Sequence, residues 1–136
     1  MTMVIVDNPF AEVFSRFGAA VLPIVGEGNY GTDVNPIMTS DKYARIAQLG
    51  MPTMTKDLEG NEVATNLSVQ TEAYASGMTA TTNCYAIDNA IHRCMIDMGF
   101  LRTFGPELMR NADSRITRLV SRYARIYTGQ LPNRED

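Results

Sequence analysis

The sequence has no long apolar run and little of the cysteine and histidine from which reactive sites are built. No apolar stretch reaches the roughly 18 residues that a membrane helix needs. The start, Met1–Val6, lacks the basic and then apolar pattern of a secretory signal, so synthesis in a cytoplasm and no membrane partner are expected. With 136 residues, 45% apolar and 20% charged, the chain is predicted to form one soluble domain around a single core.

The two cysteines and the single histidine predict no reactive site. Cys84 and Cys94 stand ten residues apart in one predicted helix, about 15 Å, which is too far for a disulfide. They are interpreted as buried thiols in a reducing compartment. Together with His92 they lack the spacing of metal ligands, and His92 has no orienting partner. We therefore expect no enzyme activity, no catalytic residue, no metal site and no cofactor.

A glycine-rich stretch at about residues 26–40 is the least regular part of the sequence. Its letters GEGNYG satisfy the pattern GxGxxG, but a dinucleotide site also needs a helix after the pattern. Asp33, Asn35 and Pro36 follow instead, so a nucleotide site is not favoured. A loop this long usually binds something or is disordered, and we favour an assembly loop over a passive one. Its candidate residues are Gly26, Gly28, Tyr30, Gly31 and Asp33.

The charge of the chain is distributed unevenly. Between Leu101 and Thr128 there are six arginines and two acids, a charge of +4, so the rest of a chain with net −3 carries −7. Such a dipolar subunit suits head-to-tail assembly, or contact with something acidic, although a solvated face is an equal alternative. The candidate charged surface comprises Arg102, Arg115, Arg118, Arg122 and Arg125. If their segment is a strand, Arg118 and Arg122 share one face and Arg115 and Arg125 share the other.

Apolar spacing and turn residues predict the elements of the fold. Helical spacing indicates helices, alternation indicates strands, and Gly, Pro, Asn and Asp mark the boundaries. The predicted elements are a helix from Pro9 to Phe17 ended by Gly18, an extended Ala19–Val25, a hairpin of Tyr43–Thr55 and Glu62–Tyr74 around Lys56–Asn61, a helix at Thr79–Met98, a strand at Phe100–Phe104 ended by Gly105 and Pro106, a turn at Asn111–Ser114, and a last element at Arg115–Thr128.

Two details of these elements are open or specific enough to test. Local spacing in Arg115–Thr128 slightly favours a helix over a strand. In the second helix, Asp88 and Asp97 are expected on or near the solvent side. The order of elements predicts an α+β fold in two layers, a mainly antiparallel sheet with helices packed on one face. The single domain spans residues 1–136, with a long loop at about 26–40 and a frayed tail at about 130–136.

The stretch from Leu67 to Gly129 resembles a known family. A strand ending in Glu72–Tyr74 leads into a helix that ends in Met98–Phe100, and the sequence RTFGP follows at Arg102–Pro106. Then come NAD at Asn111–Asp113 and RITRLVSRY at Arg115–Tyr123. This order is similar to the tail completion proteins of long-tailed bacteriophages, the group of the lambda-type tail terminator. The likeness covers about half of the chain, and the part before it matches nothing closely.

The resemblance implies a structural virion protein. Members of the family form a hexameric ring that caps the tail tube, stops tube growth and offers the surface for head–tail joining. The implied partners are further copies of the chain, the tail tube protein and a connector of the head and neck, with non-specific contact to genome DNA passing the ring. The implied place is the head-proximal end of the virion tail, after synthesis in the host bacterial cytoplasm. It also implies a strand for the last element, against the local pattern.

Other classes of function make different predictions. Another connector or neck protein of similar fold would bind the head portal instead of the tube. A small nucleic-acid-binding module would bind DNA with a steep dependence on salt. A small enzyme would need a pocket around His92 or the glycine loop.

Overall fold

The computed structural model describes residues 6–32, 40–56 and 62–132. It contains two helices and six strands. In chain order they are α1 (Phe10–Val25), β1 (Tyr30–Gly31), β2 (Lys42–Gly50), β3 (Thr53–Lys56), β4 (Glu62–Ser76), α2 (Ala80–Asp97), β5 (Leu101–Met109) and β6 (Ile116–Tyr127).

All six strands belong to one sheet with the order β1, β2, β4, β6, β5, and β3 pairs with β4 beside β2. β1 runs parallel to β2, and the other pairings in the described ranges are antiparallel. The two helices pack against each other and on one face of the sheet, where they enclose the core. The predicted α+β arrangement in two layers is thus confirmed.

The first helix does not stop at Gly18, as its sequence suggested, but continues to Val25. A Cβ atom at Gly18 would lie 2.6 Å from Cε2 of Tyr30, so the missing side chain lets the Tyr30 ring pack on the helix. Glycine acts here as a site of close approach and not as a helix terminator.

The prediction of an extended Ala19–Val25 was therefore wrong. Pro23 lies inside α1, where it removes one backbone hydrogen-bond donor, but its side chain is exposed. Val21 and Val25 are buried against the core. Burial of a valine contributes about 1.5–3 kcal/mol, which offsets the lost hydrogen bond and keeps this segment helical.

The predicted hairpin is present, with β2 and β3 aligned successively along one edge of β4. The interruption expected at Gly50 and Pro52 appears as a register shift after Gln48 and a break before Thr53. Residues 57–61 of the connecting turn lie outside the described residues.

The second helix has the predicted apolar stripe, and Cys84, Ile87, Ile91 and Met95 are buried along it. Asp97 is exposed, as expected. Asp88 is only 3% exposed, so its predicted place near solvent was wrong. Its carboxylate is paired under the helix, as described below.

The last two strands differ from the local pattern. β5 continues through a cis Gly105–Pro106 peptide to Met109, with register shifts against β6, and does not end at Gly105. The segment Ile116–Tyr127 is a strand, although local spacing favoured a helix. It pairs with β4 over its full length and with β5 on its other edge. These long-range pairings, which local periodicity does not detect, decide its conformation.

The chain end is packed further than predicted. Leu131, at 3% exposure, belongs to the core, and the carbonyl of Pro132 accepts a hydrogen bond from Nη1 of Arg16 at 2.5 Å. The predicted fraying from about residue 130 is therefore wrong at Leu131. Residues 133–136 lie outside the described ranges.

Gly105→Ala is expected to destabilise the fold by about 2–4 kcal/mol. Gly105 has φ of +86°, and a Cβ atom there would overlap the carbonyl oxygen of Val120 and approach Cα of Ser121 to 3.1 Å. These are backbone atoms of an inner strand and cannot move aside cheaply. Urea unfolding measures the loss. Gly28→Ala is the matched control, since Gly28 has φ of +78° with nothing within 4 Å of its Cβ position. Equal losses in both variants would contradict the role of the overlap.

Candidate assembly surface

No described helix packs on the second face of the sheet, which we call the open face, although Tyr43, Glu72, Tyr74 and Val120 on it are buried. Because side chains alternate along a strand, partners in register show which residues share this face. β2 contributes Tyr43 and Arg45, β4 contributes Gln70, Glu72 and Tyr74, β6 contributes Arg118, Arg122 and Ile126, and β5 contributes Phe104.

Glu72 lies at the centre of the open face yet is only 1% exposed. Its carboxylate accepts hydrogen bonds from Nη1 of Arg45, from Nε of Arg118 at 2.5 Å and from the hydroxyl of Tyr74 at 2.9 Å. Arg45 on β2 and Arg118 on β6 flank β4, so one carboxylate connects three strands. Two guanidinium groups share one carboxylate, and the cluster therefore keeps a net charge of +1.

The Glu72 carboxylate is ionised at neutral pH. Burial alone would raise the pKa of Glu72, but hydrogen bonds from Arg118, Tyr74 and Arg45 outweigh burial and hold that pKa below its usual value. The pKa of Tyr74 rises to about 12, first because the hydroxyl is buried and then because of the charge on Glu72. Burial opposes the charge on Arg118, yet its hydrogen bond to Glu72 raises the Arg118 pKa.

Arg122 is the exposed cation of the open face. Its Nε donates to Oε1 of Gln70 at 2.9 Å, and its guanidinium carbon lies 5.1 Å from the centre of the Phe104 ring. No carboxylate within the described ranges forms an ion pair with it. An arginine held over an aromatic ring is already partly ordered, and arginines are enriched at the energetic centres of protein interfaces.

One end of the open face is apolar. Leu101 is 70% exposed and Ile126 is 57% exposed. Leu101 is in register with Ala124, which places it diagonally from Ile126 across the two strands. Exposed aliphatic side chains grouped in this way commonly mark contact surfaces between proteins.

A second polar cluster lies on the helix side, between α2 and the last two strands. Asp88 accepts from Oγ of Ser121 at 2.8 Å and from Nη2 of Arg102 at 2.9 Å. The same Nη2 donates to the Tyr123 hydroxyl at 3.0 Å, and that hydroxyl lies 3.2 Å from Nδ1 of His92. Arginine only donates, so the Tyr123 hydroxyl accepts from Arg102; it donates to Nδ1 of His92 when that nitrogen carries no proton and accepts from it when it does. The cluster pairs a buried charge and fixes α2 on the sheet.

Burial is the largest cause of the pKa shifts of Tyr123 and His92. It raises the pKa of Tyr123 to about 12, against the opposing effect of Arg102. The pKa of His92 is lowered, first by burial and then by the positive charge of Arg102, with Asp88 opposing. Both directions agree with a neutral hydrogen bond between the two side chains.

Stability is expected to fall as the pH drops below the ordinary histidine pKa of 6.5. The folded pKa of His92 is lowered, so the unfolded chain takes up the proton first, and the contribution present above this pH is lost below it. Protonation also removes the Nδ1 acceptor for Tyr123. Urea unfolding of wild type and His92→Gln between pH 7 and about pH 5 tests this. Glutamine retains a hydrogen-bond acceptor without titrating, so His92→Gln should lose less stability than wild type as the pH falls. An identical dependence of unfolding free energy on pH in both proteins would contradict the expectation.

The structure separates the arginines predicted as one charged surface. Arg118 and Arg122 lie on the open face, and Arg125 lies on the other side, as the strand alternative implied. Arg125 donates through Nη1 to the carbonyl of Met98, where a cation complements the C-terminal end of α2. Arg102 is in the Asp88 cluster.

Arg115, the fifth predicted arginine, stands in the turn before β6. Its Nη2 lies 3.0 Å from Oδ2 of Asp113, and 87% of its side chain is exposed. The pKa of Asp113 is lowered by the hydrogen bonds from Arg115. The pair is local to the turn and adds no net charge to either face of the sheet.

The predicted assembly loop is partly regular. Gly26 and Gly28 lie in the turn after α1, and Tyr30 and Gly31 form β1 at the edge of the sheet. Asp33 lies outside the described residues. The GxGxxG letters therefore lead into a strand and not into the helix that would bind a dinucleotide phosphate.

Sequence patterns missed three charged residues of these clusters. Asp88 stands four residues after Cys84 and three before Ile91, so helical spacing already placed it on the buried stripe. Arg45 and Glu72 carried no comparable signal, because strand alternation assigns both to the polar face and does not show that they meet.

The described ranges contain no group of three or more His, Cys, Asp or Glu side chains that could hold a metal ion. Cys84 is a free thiol whose pKa burial raises to about 11. Neither described helix is long and apolar enough to cross a membrane.

Comparison with known proteins adds no relative: no protein-family model and no curated protein matches this chain.

Proposed function

We propose that this chain is a structural subunit of a bacteriophage virion, a tail terminator. It closes as a ring on the head-proximal end of the tail tube, stops tube growth and forms the surface to which the filled head is joined. Its partners are further copies of itself, expected as a hexamer, the tail tube protein and a connector protein of the neck. The role requires neither catalysis nor a cofactor.

The observation that carries this proposal is the conformation of Ile116–Tyr127. The resemblance implies a final strand there, while local apolar spacing favours a helix. The segment forms β6, an inner strand of the sheet between β4 and β5. Agreement at a position where local pattern points the other way supports the resemblance, as does the placement of both helices on one face.

The surface supports assembly as the activity. A ring subunit needs two unlike surfaces, because each copy contacts its neighbours head to tail. The open face supplies an exposed arginine on Phe104 beside the exposed Leu101 and Ile126. This combination of arginine, aromatic and aliphatic side chains is the usual composition of an interface core.

The direct test is capping of a growing tube. The tail tube protein from the same phage is allowed to polymerise with and without this chain. We expect shorter tubes with one ring at one end in negative-stain images, and rings of about six subunits by light scattering of the free chain. Unchanged tube length together with binding to the head portal would reject the terminator role in favour of the connector alternative.

A nucleic-acid-binding module is the second alternative, because Arg45, Arg118 and Arg122 share the open face. Arg45 and Arg118 share the one carboxylate of Glu72, so the three arginines keep a net charge of +2 on this face. Titration of duplex DNA at 50 and 200 mM salt separates the two classes. Binding that weakens by about a thousandfold between these salts favours the DNA module, and weak binding with a shallow slope favours assembly.

A further inference from the structure

The β1–β2 edge of the sheet is acidic. Glu27 lies in the turn that leads into β1, and Asp41 directly precedes β2. Both are exposed, and neither has an ion-pair partner in the described ranges. The nearest cation along the chain is the half-buried Lys42. We define the acidic edge as Glu27 and Asp41.

The opposite edge, formed by β5 and β6, is basic. Of the arginines there, Arg102 and Arg115 each pair with a carboxylate of their own, whereas Arg118 shares the single carboxylate of Glu72 with Arg45 of β2. Arg110 and Arg122 are exposed without an ion pair among the described residues, against the single unpaired carboxylate of Glu107. We define the basic edge as Arg110, which directly follows the edge strand β5, and Arg122, which lies on the inner strand β6 with its guanidinium group over Phe104 of β5. The exposed side chains of Leu101 and Leu108 lie on the same edge strand.

Direct pairing of strands between subunits is disfavoured at both edges. β5 contains Pro106, which cannot donate to a ladder, and its register shifts twice against β6. On the other side, β1 covers part of β2, the register shifts after Gln48, and Pro52 follows. Proline and bulges at edge strands are the usual protection against strand addition. Side chains and not backbone ladders are therefore available for a contact between subunits.

We propose that the acidic edge of one subunit contacts the basic edge of the next copy of this chain. The two edges lie at opposite ends of the strand order, so this contact is heterologous and repeats in one direction around a ring. Contact between two like edges would place like charges together, which is unfavourable. The inference rests on the proposed function, since it names the contact by which the proposed ring closes. Leu101 and Leu108 become buried within this contact.

Charge reversal with mixing tests the contact. Glu27→Lys with Asp41→Lys makes both edges basic, and Arg110→Glu with Arg122→Glu makes both edges acidic. Each variant alone is expected to associate at least about tenfold more weakly than wild type, because every contact then joins like charges. A 1:1 mixture is expected to recover the wild-type mass, since the two variants can alternate around an even-numbered ring. Light scattering over a concentration range measures all three samples.

Arg93→Glu is the matched control, because Arg93 is an exposed arginine on α2 and belongs to neither edge. It is expected to associate like wild type. Circular dichroism of every variant shows that folding is unchanged, and recovery in the mixture gives independent proof of folded subunits. Raising the salt should weaken wild-type association, since exposed charges are screened.

Three outcomes would overturn the inference. The wild-type chain could stay monomeric at every concentration, or the charge-reversed variants could associate as strongly as wild type. The third is a 1:1 mixture that does not recover the wild-type mass. Tube capping separates this inference from the proposed function. Reversed variants that form rings and still cap the tube would reject the contact and keep the terminator role. Wild-type rings that depend on these edges but leave tube growth unchanged would reject the terminator role and keep the contact.

Discussion

Replacing Glu72 by Gln is expected to lower the free energy of unfolding by about 3–5 kcal/mol, a large fraction of the stability of a domain this size. The substitution keeps the shape of the side chain but removes the negative charge that Arg45 and Arg118 share. Both guanidinium groups are largely buried, with side-chain exposures of 13% and 27%. They would face each other without compensation across β4. Urea unfolding at neutral pH measures the loss.

Glu107→Gln provides the matched control for this substitution. Glu107 lies on β5 in register with Val120, on the same open face, but it is exposed and has no ion pair in the described ranges. Its replacement is expected to change stability by no more than about 0.5 kcal/mol. A loss below about 1 kcal/mol for Glu72→Gln would show that the cluster contributes no more than a surface ion pair.

The effect of Glu72 should depend on pH with a defined sign. Its folded pKa lies below the ordinary value of 4.5, so its contribution is complete above that pH and is lost as the pH falls toward the folded pKa. The stability difference between wild type and Glu72→Gln should therefore shrink below about pH 4.5. A difference that stays constant down to about pH 3 would mean that the charge of Glu72 is not what stabilises the fold.

Elements with a consistent period were predictable from the sequence. Strict alternation defined β4, and spacings of three and four defined α2 with its buried stripe. The predicted end of the first helix was wrong because tertiary contacts outweigh the local sequence pattern there. Gly18 suggests a helix end, but its missing side chain makes room for Tyr30. Pro23 is tolerated in the helix because Val21 and Val25 are buried.

The candidate surface was less predictable, because it depends on which strands become neighbours. The arginine-rich segment was predictable from the sequence, and so was the strand alternative in which Arg118 and Arg122 share one face. The sequence could not show that Glu72, 46 positions from Arg118, lies between Arg118 and Arg45. That pairing follows from the order β2, β4, β6, which no local pattern encodes. The opposite charge of the two sheet edges follows from the same order.

Arg102→Met is the second substitution with a large expected effect, about 3–5 kcal/mol of lost stability. It leaves the carboxylate of Asp88, at 3% exposure, with only the hydroxyl of Ser121 as a partner. It also removes a donor to Tyr123. Asp88→Leu should cost less, about 2–3 kcal/mol, because the Arg102 side chain is 22% exposed and can reach water.

The double variant Asp88→Leu with Arg102→Met decides whether these side chains act as a pair. Replacement of both partners by apolar groups leaves no buried charge unpaired, so the double variant should be more stable than Arg102→Met alone. The expected coupling free energy is about 2 kcal/mol or more in urea unfolding. Additive losses would mean that each side chain stabilises the domain through its own packing. Coupling would instead show that one buried ion pair holds α2 on β5 and β6, and thereby sets the position of the basic edge.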